Sequence, residues 1–356
     1  MIADQKTILN RMLGNIQGQF DKTEGSFFYD ALAPMAIELE TVHQSISSVK
    51  EKLRVEKLTG QELEQFIFER TGIKRKPATK ARGHVTIKGT AGARVQENSI
   101  VASETVHFIV KETKILGQNG QAEVLVECQA YGVIGNVPAG MIRYFPMTLP
   151  GLVSVTNHED FTSGYEEEGD QELLARYFER IQTPITSGNK YHYRDWAKEV
   201  TGVGDVKVVP LWNGDNTVKI IIIDANKQPA DAELIAQVQE YIDPGMEGLG
   251  EGKAPIGAYC TVVGAVGKSL DITFKAVKDT AVTDAERSEN IRKNIEQYIK
   301  QAAFKESIIS YNRIGSIILD SRGIVDFIGL KINGQTGNIA IAEDEVAVLG
   351  VIHIEE

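Results

Sequence analysis

The sequence predicts a multidomain α+β protein, and three observations carry that prediction. A helical stripe of unusual regularity runs through residues 28–53. Strict alternation of apolar and polar residues dominates residues 82–162. After Gly164 the chain returns twice to a helix–helix–strand–strand order. The boundaries drawn from these changes of period are 1–80 for an N-terminal helical arm, 81–164 for a small β-rich domain, 165–265 for an α+β module and 266–356 for a second α+β module.

The stripe comes first. Phe28, Leu32, Met35, Leu39, Val42, Ile46, Val49 and Leu53 are spaced 4, 3, 4, 3, 4, 3, 4. That period of 3.5 suits knobs-into-holes packing along another helix. Burying such side chains contributes roughly 1.5–3 kcal/mol each, which a lone helix cannot realise. The cover is either internal, from helix 5–17 (Ile8, Met12, Leu13, Ile16) or helix 60–71, or it is a helix of another chain. Pro34 removes one helical donor, so the helix is expected to kink or to start there, and Met35–Leu53 is its secure part.

Thr59-Gly-Gln-Glu62 has the form of a capping box. The helix that it opens carries Leu63, Phe66 and Ile67 and stops at Gly72, and Lys76-Pro77 then breaks helical structure. In the β-rich segment Val85 and Ile87 alternate, as do Phe108 and Val110, then Ala122, Val124, Val126, Cys128 and Ala130, with Asn119-Gly120 expected to form a tight hairpin. Beyond Asp170, Leu173, Leu174, Tyr177 and Phe178 form a helical stripe, and Ser187 is placed to cap the next helix. Strands are expected at 206–209, 218–223 and 258–263, with a helix at 231–242. The tail reads as strand 270–277, helix 284–303, a helix around Ile314–Ile318, and strands 325–332 and 346–354. Gly202-Val-Gly-Asp205 with Asn213-Gly214 matches Gly323-Ile-Val-Asp326 with Asn333-Gly334, which suggests two related modules in tandem.

The bulk numbers narrow the function. The chain has 356 residues and a net charge of −11, from 49 acids and 38 bases, which argues against broad nucleic-acid binding. No apolar run is long enough to span a bilayer, and the first residues lack the regions of a signal peptide. Cys128 and Cys260 lie in apolar alternating segments and read as buried free thiols of a reducing cytoplasm. A basic cluster, Lys74, Arg75, Lys76, Lys80 and Arg82, is either solvated linker charge or a docking point for an acidic neighbouring subunit.

Chemistry is not legible. Gly264-Ala-Val-Gly267-Lys268-Ser269 lacks the first glycine of a phosphate loop, since Val262 stands there, and a strand pattern follows it. Gly248-Leu-Gly250-Glu-Gly252 reads as a flexible surface loop. Glu166–Glu168 and Asp170 suit a helix N-terminus. The six histidines have no metal-ligand spacing, and His192 lacks a nucleophile partner. No catalytic, cofactor-binding or metal-binding residue is assigned.

Taken in order, Leu58-Thr-Gly60, Gly72-Ile73-Lys74-Arg75-Lys-Pro77, Ala81-Arg-Gly83, Gly135-Asn136-Val137-Pro138-Ala139-Gly140, Val155-Thr-Asn157, Gly164 with Glu166–Asp170 and Arg176, Ser187-Gly188, Trp196-Ala197, Gly202-Val203 and Ala254-Pro255-Ile-Gly257 resemble the baseplate J-like proteins. These are wedge components of contractile phage tails and R-type bacteriocins. Where the family often has an isoleucine-proline and glycine turn, this chain has Val95–Ile100 and Thr105–Phe108. The resemblance implies a non-enzymatic assembly role without cofactors. The implied partners are a lysozyme-like baseplate subunit, a tail protein I-like subunit, neighbouring copies of the chain and the central hub and spike. Such wedges join into a sixfold ring that is coupled to sheath contraction, are assembled in the bacterial cytoplasm and remain in the tail particle. The residues expected to meet partners are Leu32, Met35, Leu39, Val42, Ile46, Val49 and Leu53, with Arg75 and Lys76 as a second candidate. The carboxy-terminal module is expected at contacts between wedges. The rival readings are a cytoplasmic coiled-coil scaffold and a tail-associated glycan hydrolase.

Overall fold

A computed structural model describes residues 4–183, 186 and 188–355. The chain divides into two compact units, one running to Arg75 and adding Gly169–Ile181, the other formed by Lys76–Glu168 and the chain from Gln182 onward. The architecture is the mixed α+β arrangement that the sequence predicts.

The first unit is helical. Helix α1 (Gln5–Gly14) starts at Asp4, whose side chain accepts the Thr7 N–H. Helix α2 (Phe27–Lys52) runs unbroken through Pro34. The expected kink or restart does not occur, because α1 packs against that stretch. Ile8, Leu9 and Leu13 enclose Ala36 and rest on Phe28, Leu32 and Ala33, and this packing offsets the missing hydrogen bond. Helix α3 (Gly60–Thr71) ends at Gly72 in the left-handed conformation. The capping box foreseen at its start is not formed. Thr59 makes no side-chain cap, the Gly60 N–H is taken by the Asp170 carboxylate at 2.9 Å, and Glu62 pairs with Lys52. Helix α4 (Asp170–Gln182) lays Leu173 and Tyr177 against Leu63 and Ile67 of α3.

In the second unit, a five-stranded antiparallel sheet is built from β1 (Arg82–Gly89), β3 (Ile100–Ala102), β4 (His107–Val110), β6 (Gln121–Cys128) and β7 (Leu152–Thr156), in the order β3-β4-β6-β1-β7. A two-stranded ribbon joins β2 (Arg94–Val95) and β5 (Lys114–Ile115). Asn119-Gly120 does turn the chain, with Gly120 donating to the Gly117 carbonyl, but it makes no hairpin. Strand β6 pairs with β1 and β4 instead of β5. The alternating residues Val85, Ile87, Phe108, Val110, Val124 and Val126 meet in one core. Buried Asn157 closes the end of this domain: its Oδ1 accepts from Ile142 N–H at 3.0 Å and its Nδ2 donates to the carbonyls of Pro138 and Glu159.

The central module follows. Helix α5 (Lys190–Glu199) is capped by Asn189, which accepts the His192 N–H, while the expected cap Ser187 lies outside the described residues. Strands β8 (Val203–Pro210), β9 (Thr217–Asp224) and β10 (Tyr259–Gly264) form a sheet in the order β10-β9-β8, and α6 (Ala232–Ile242) crosses between β9 and its parallel neighbour β10. From α6, Asp243 Oδ2 accepts the Cys260 N–H at 2.9 Å, while Gln239 takes the Val262 N–H at 2.8 Å and the Cys260 carbonyl at 3.0 Å.

The last module has strands β11 (Val266–Lys278), β12 (Ile308–Ile309), β13 (Ile324–Ile332), β14 (Ile339–Ala340) and β15 (Glu345–Glu355), with helices α7 (Asp284–Ala302) and α8 (Tyr311–Asp320). A capping box does form here, between Thr283 and Glu286. The sheet order is β13-β11-β15. The two modules therefore share a plan: a central strand, one antiparallel neighbour (β8 or β13) and one parallel neighbour (β10 or β15). They reach it by different routes, since β11 inserts between β13 and β15. Local geometry repeats as well. Gly202 and Gly323 stand three residues after the ends of α5 and α8 at φ of 99° and 100°, a region that side chains disfavour. Asp205 and Asp326 each accept the N–H of the next residue at 2.8 Å. Ile220 and Ile222 face α5 and α6, whereas Ile221 and Ile223 pack with Ala303 and Val346 of the last module.

Three buried charges fix the loops. Arg287 donates to the carbonyls of Gly323 (2.7 Å), Asp279 (2.9 Å) and Val282 (2.8 Å) and pairs with Asp284. Asp205 lies between Arg194 (2.9 Å) and Lys198 (3.0 Å). Burial opposes its ionisation, but these cations and the Val206 N–H outweigh burial and bring its carboxyl down to about 2. Asp224 accepts the Gln228 N–H at 2.7 Å at the end of β9. Burial pushes its carboxyl up to about 7, against the pull of the Gln228 and Asn226 N–H groups, and Asp231 adds to the rise.

Arg287→Ala leaves buried carbonyls without a donor and is expected to lower stability by about 3 kcal/mol, read as a fall in the urea midpoint of the C-terminal core. Arg287→Lys recovers little of it, because one ammonium does not span three carbonyls. Asp224 titrates higher folded than unfolded, so its contribution is greatest below the ordinary value of 3.8 and is lost as pH rises to about 7. Asp224→Asn, which keeps the acceptor for Gln228, is expected to flatten the stability profile between those limits and to be more stable than the parent at pH above 7. Parallel denaturation series over that pH range check both.

Candidate partner-binding surface

Helix α2 divides the predicted stripe in two. Phe28 and Leu32 lie under α1, and neighbouring Ala36 is fully buried there. Beyond them the stripe is open: Met35, Leu39, Val42, Ile46, Val49 and Leu53 are all exposed, from 37% at Leu39 to 74% at Leu53. Of the two internal candidates, α1 covers only the first part, and α3 buries its apolar face against α4. Polar residues between the exposed apolar ones do not compete for contact. Thr41 donates to the Ile37 carbonyl (3.2 Å) and Ser45 to the Thr41 carbonyl (2.9 Å), so both hydroxyls turn back into the helix. A shallow groove results along Val42, Ile46 and Val49, edged by Glu38, Thr41 and Ser45. An exposed apolar band of this length on a folded chain marks a contact surface.

The basic cluster is differently placed. The Arg75 guanidinium is only 11% exposed; it bonds Asp170 at 2.6 Å, lies 3.5 Å from Glu64 and donates to the Gly60 carbonyl. Lys76 donates through Nζ to the Val203 carbonyl at 2.8 Å and through its backbone N–H to Glu168 at 3.0 Å. Lys74 lies over the Phe68 ring, Lys80 over Tyr131, and Arg82 beside Glu127. Arg75 and Lys76 are thus engaged inside the chain and are not brought together with the stripe residues. Their carboxylate partners come from the acidic run, which sequence alone reads as solvated. In the structure Glu166 accepts the Val133 N–H (2.9 Å), Glu168 that of Lys76 and Asp170 that of Gly60.

The positions screened for chemistry have structural roles. Lys268 sits on β11 and pairs with Glu345, and no helix follows it. His192 stacks on Trp196 at 3.8 Å between ring centroids. The near-neutral carboxyl of Asp224 is 2% exposed and holds a turn, so no substrate reaches it. Among the described residues no three His, Cys, Asp or Glu side chains are placed to hold a metal, and no helix is long and apolar enough to cross a membrane. Both cysteines are buried free thiols. The glycine-rich loop after α6 is tied down: Asp243 Oδ1 accepts the Gly248 N–H and Gly257 donates to the Gly248 carbonyl. It nevertheless exposes Met246, Leu249 and Ile256. Sequence reasoning missed this second apolar surface, because three apolar residues in a glycine-rich stretch have no periodicity to announce them.

Three family profiles match successive parts of the chain. The Baseplate J-like protein barrel domain matches residues 84–164, the Baseplate J-like central domain 185–264 and the Baseplate J-like protein C-terminal domain 270–355. Among similar proteins, YqbT of Bacillus subtilis is 36% identical over 100% of this chain and 99% of its own length. The phage-like element PBSX protein XkdT of Bacillus subtilis is 35% identical over the same shares. Baseplate protein gp47 of Escherichia phage Mu is 29% identical over 56% of this chain and 57% of its own.

Proposed function

The chain belongs to the baseplate J-like family, and from that premise we propose that it is a structural wedge component of a contractile tail baseplate. It assembles with other wedge subunits, a lysozyme-like subunit and a tail protein I-like subunit among them, into a sixfold ring around the hub and spike. It is made and assembled in the bacterial cytoplasm and stays in the tail particle. Its work is protein contact without catalysis, and a change in those contacts couples rearrangement of the ring to contraction of the sheath. The phage Mu relative, named as a baseplate protein, supports the setting.

The observation that carries the reading is the open apolar stripe from Met35 to Leu53 at coiled-coil spacing. Helices of partner subunits cover it in the assembled wedge. Leu32 anchors the covered end of the helix. Arg75 and Lys76 hold their own segments, and the carboxy-terminal module, 266–356, meets neighbouring wedges.

The test is Leu39→Asp combined with Ile46→Asp. Both side chains lie outside the core, so the unfolding transition should shift by no more than about 0.5 kcal/mol. Co-purification with co-expressed neighbouring baseplate subunits should be abolished. A folded double variant that still enters the complex at the parental level overturns the reading.

A further inference from the structure

We infer that, before it meets other subunits, the chain pairs with a second copy of itself through the same stripe, the two α2 helices lying antiparallel about Gln44. The inference rests on the reading of the stripe as a contact surface and names its first occupant.

The argument starts from symmetry. Over Met35–Leu53 the stripe is about 28 Å long at 1.5 Å per residue. An antiparallel two-fold centred on Gln44 sets Met35 of one copy against Leu53 of the other, Leu39 against Val49 and Val42 against Ile46, each pair occurring twice. Every exposed apolar residue of the stripe then faces another, which is the self-complementary pattern of a two-fold interface. The part of α2 before Met35 takes no share, since α1 already covers it.

Charge chooses the direction. The residues flanking the stripe on one side are Glu38, Ser45 and Lys52, and on the other Ala36, His43 and Lys50. In antiparallel pairing like flanks meet. Glu38 faces Lys52 of the other copy at both ends, and the two Ser45 side chains meet on the axis. In parallel pairing Glu38 faces His43 and Ser45 faces Lys50, so no carboxylate meets an ammonium. Glu38 is exposed. Lys52, 54% exposed at its side chain, pairs with Glu62 of its own chain and has room for a second carboxylate. Antiparallel packing also sets the helix dipoles head to tail.

Sedimentation velocity of the full chain over a wide range of concentration is expected to show a monomer–dimer equilibrium. Leu39→Asp should leave a monomer. Glu38→Lys or Lys52→Glu alone should weaken the dimer about tenfold, and the double reversal should restore it. Ser45→Cys should form a disulfide-linked dimer on mild oxidation, against a low background because Cys128 and Cys260 are buried. Circular dichroism confirms that each variant is folded. A chain that is monomeric at every concentration overturns the inference. So does a dimer indifferent to the charge reversals, or one that Ser45→Cys does not cross-link. A monomeric chain that still co-purifies with its neighbours overturns only this inference. A dimer that never joins them overturns only the wedge reading.

Discussion

Wherever this chain leaves a helix or strand, a short acidic or amide side chain takes up the N–H that is left behind, and the fold depends on that device. Asp170 holds Gly60 at the start of α3, Glu168 holds Lys76, and Glu166 holds Val133. Asn157 holds Ile142, Asn136 holds Gly164, and Asp243 holds both Gly248 and Cys260. A buried N–H without an acceptor costs about 1–3 kcal/mol, so these few side chains decide where long connections lie. They also account for several residues that carry the family resemblance. Asn136, Gly164, Asn157 and the Glu166–Asp170 run are the clamps and the backbone that they grip.

What was legible in the sequence follows from range. Period-two and helical stripes announced nearly every long element, and the glycine at the end of α3 announced its stop, because each signal lies within a dozen residues. The errors arose where a distant residue won. The N–H at the start of α3 is satisfied by Asp170, 110 positions away, so the local Thr59–Glu62 box is superfluous. Asn119-Gly120 has hairpin chemistry, but β6 finds better partners in β1 and β4. Sheet order is invisible to periodicity, hence the unforeseen insertion of β11 between β13 and β15. For the candidate surface, spacing gave the stripe but not which part of it α1 takes. Nor did spacing show that Arg75 is enclosed by acids from elsewhere.

The central and C-terminal modules are also joined more closely than tandem repeats need be. The run Ile220–Ile223 is buried on both sides of β9, one side facing its own helices and the other facing Ala303, Phe304, Val346 and Val348. Parting the modules would wet Ile221 and Ile223. A change of contacts in a ring is therefore more easily transmitted through the pair than absorbed between them.

The sealing of β10 bears on how such a protein survives its own abundance. An outer strand normally presents a row of unsatisfied backbone groups, a template on which another chain can extend the sheet. Here Gln239 and Asp243 fill that row at Cys260 and Val262. Crowded copies are thereby denied an indiscriminate, register-blind route to fibres at this edge. Encounters there are left to side chains, which can tell one partner from another.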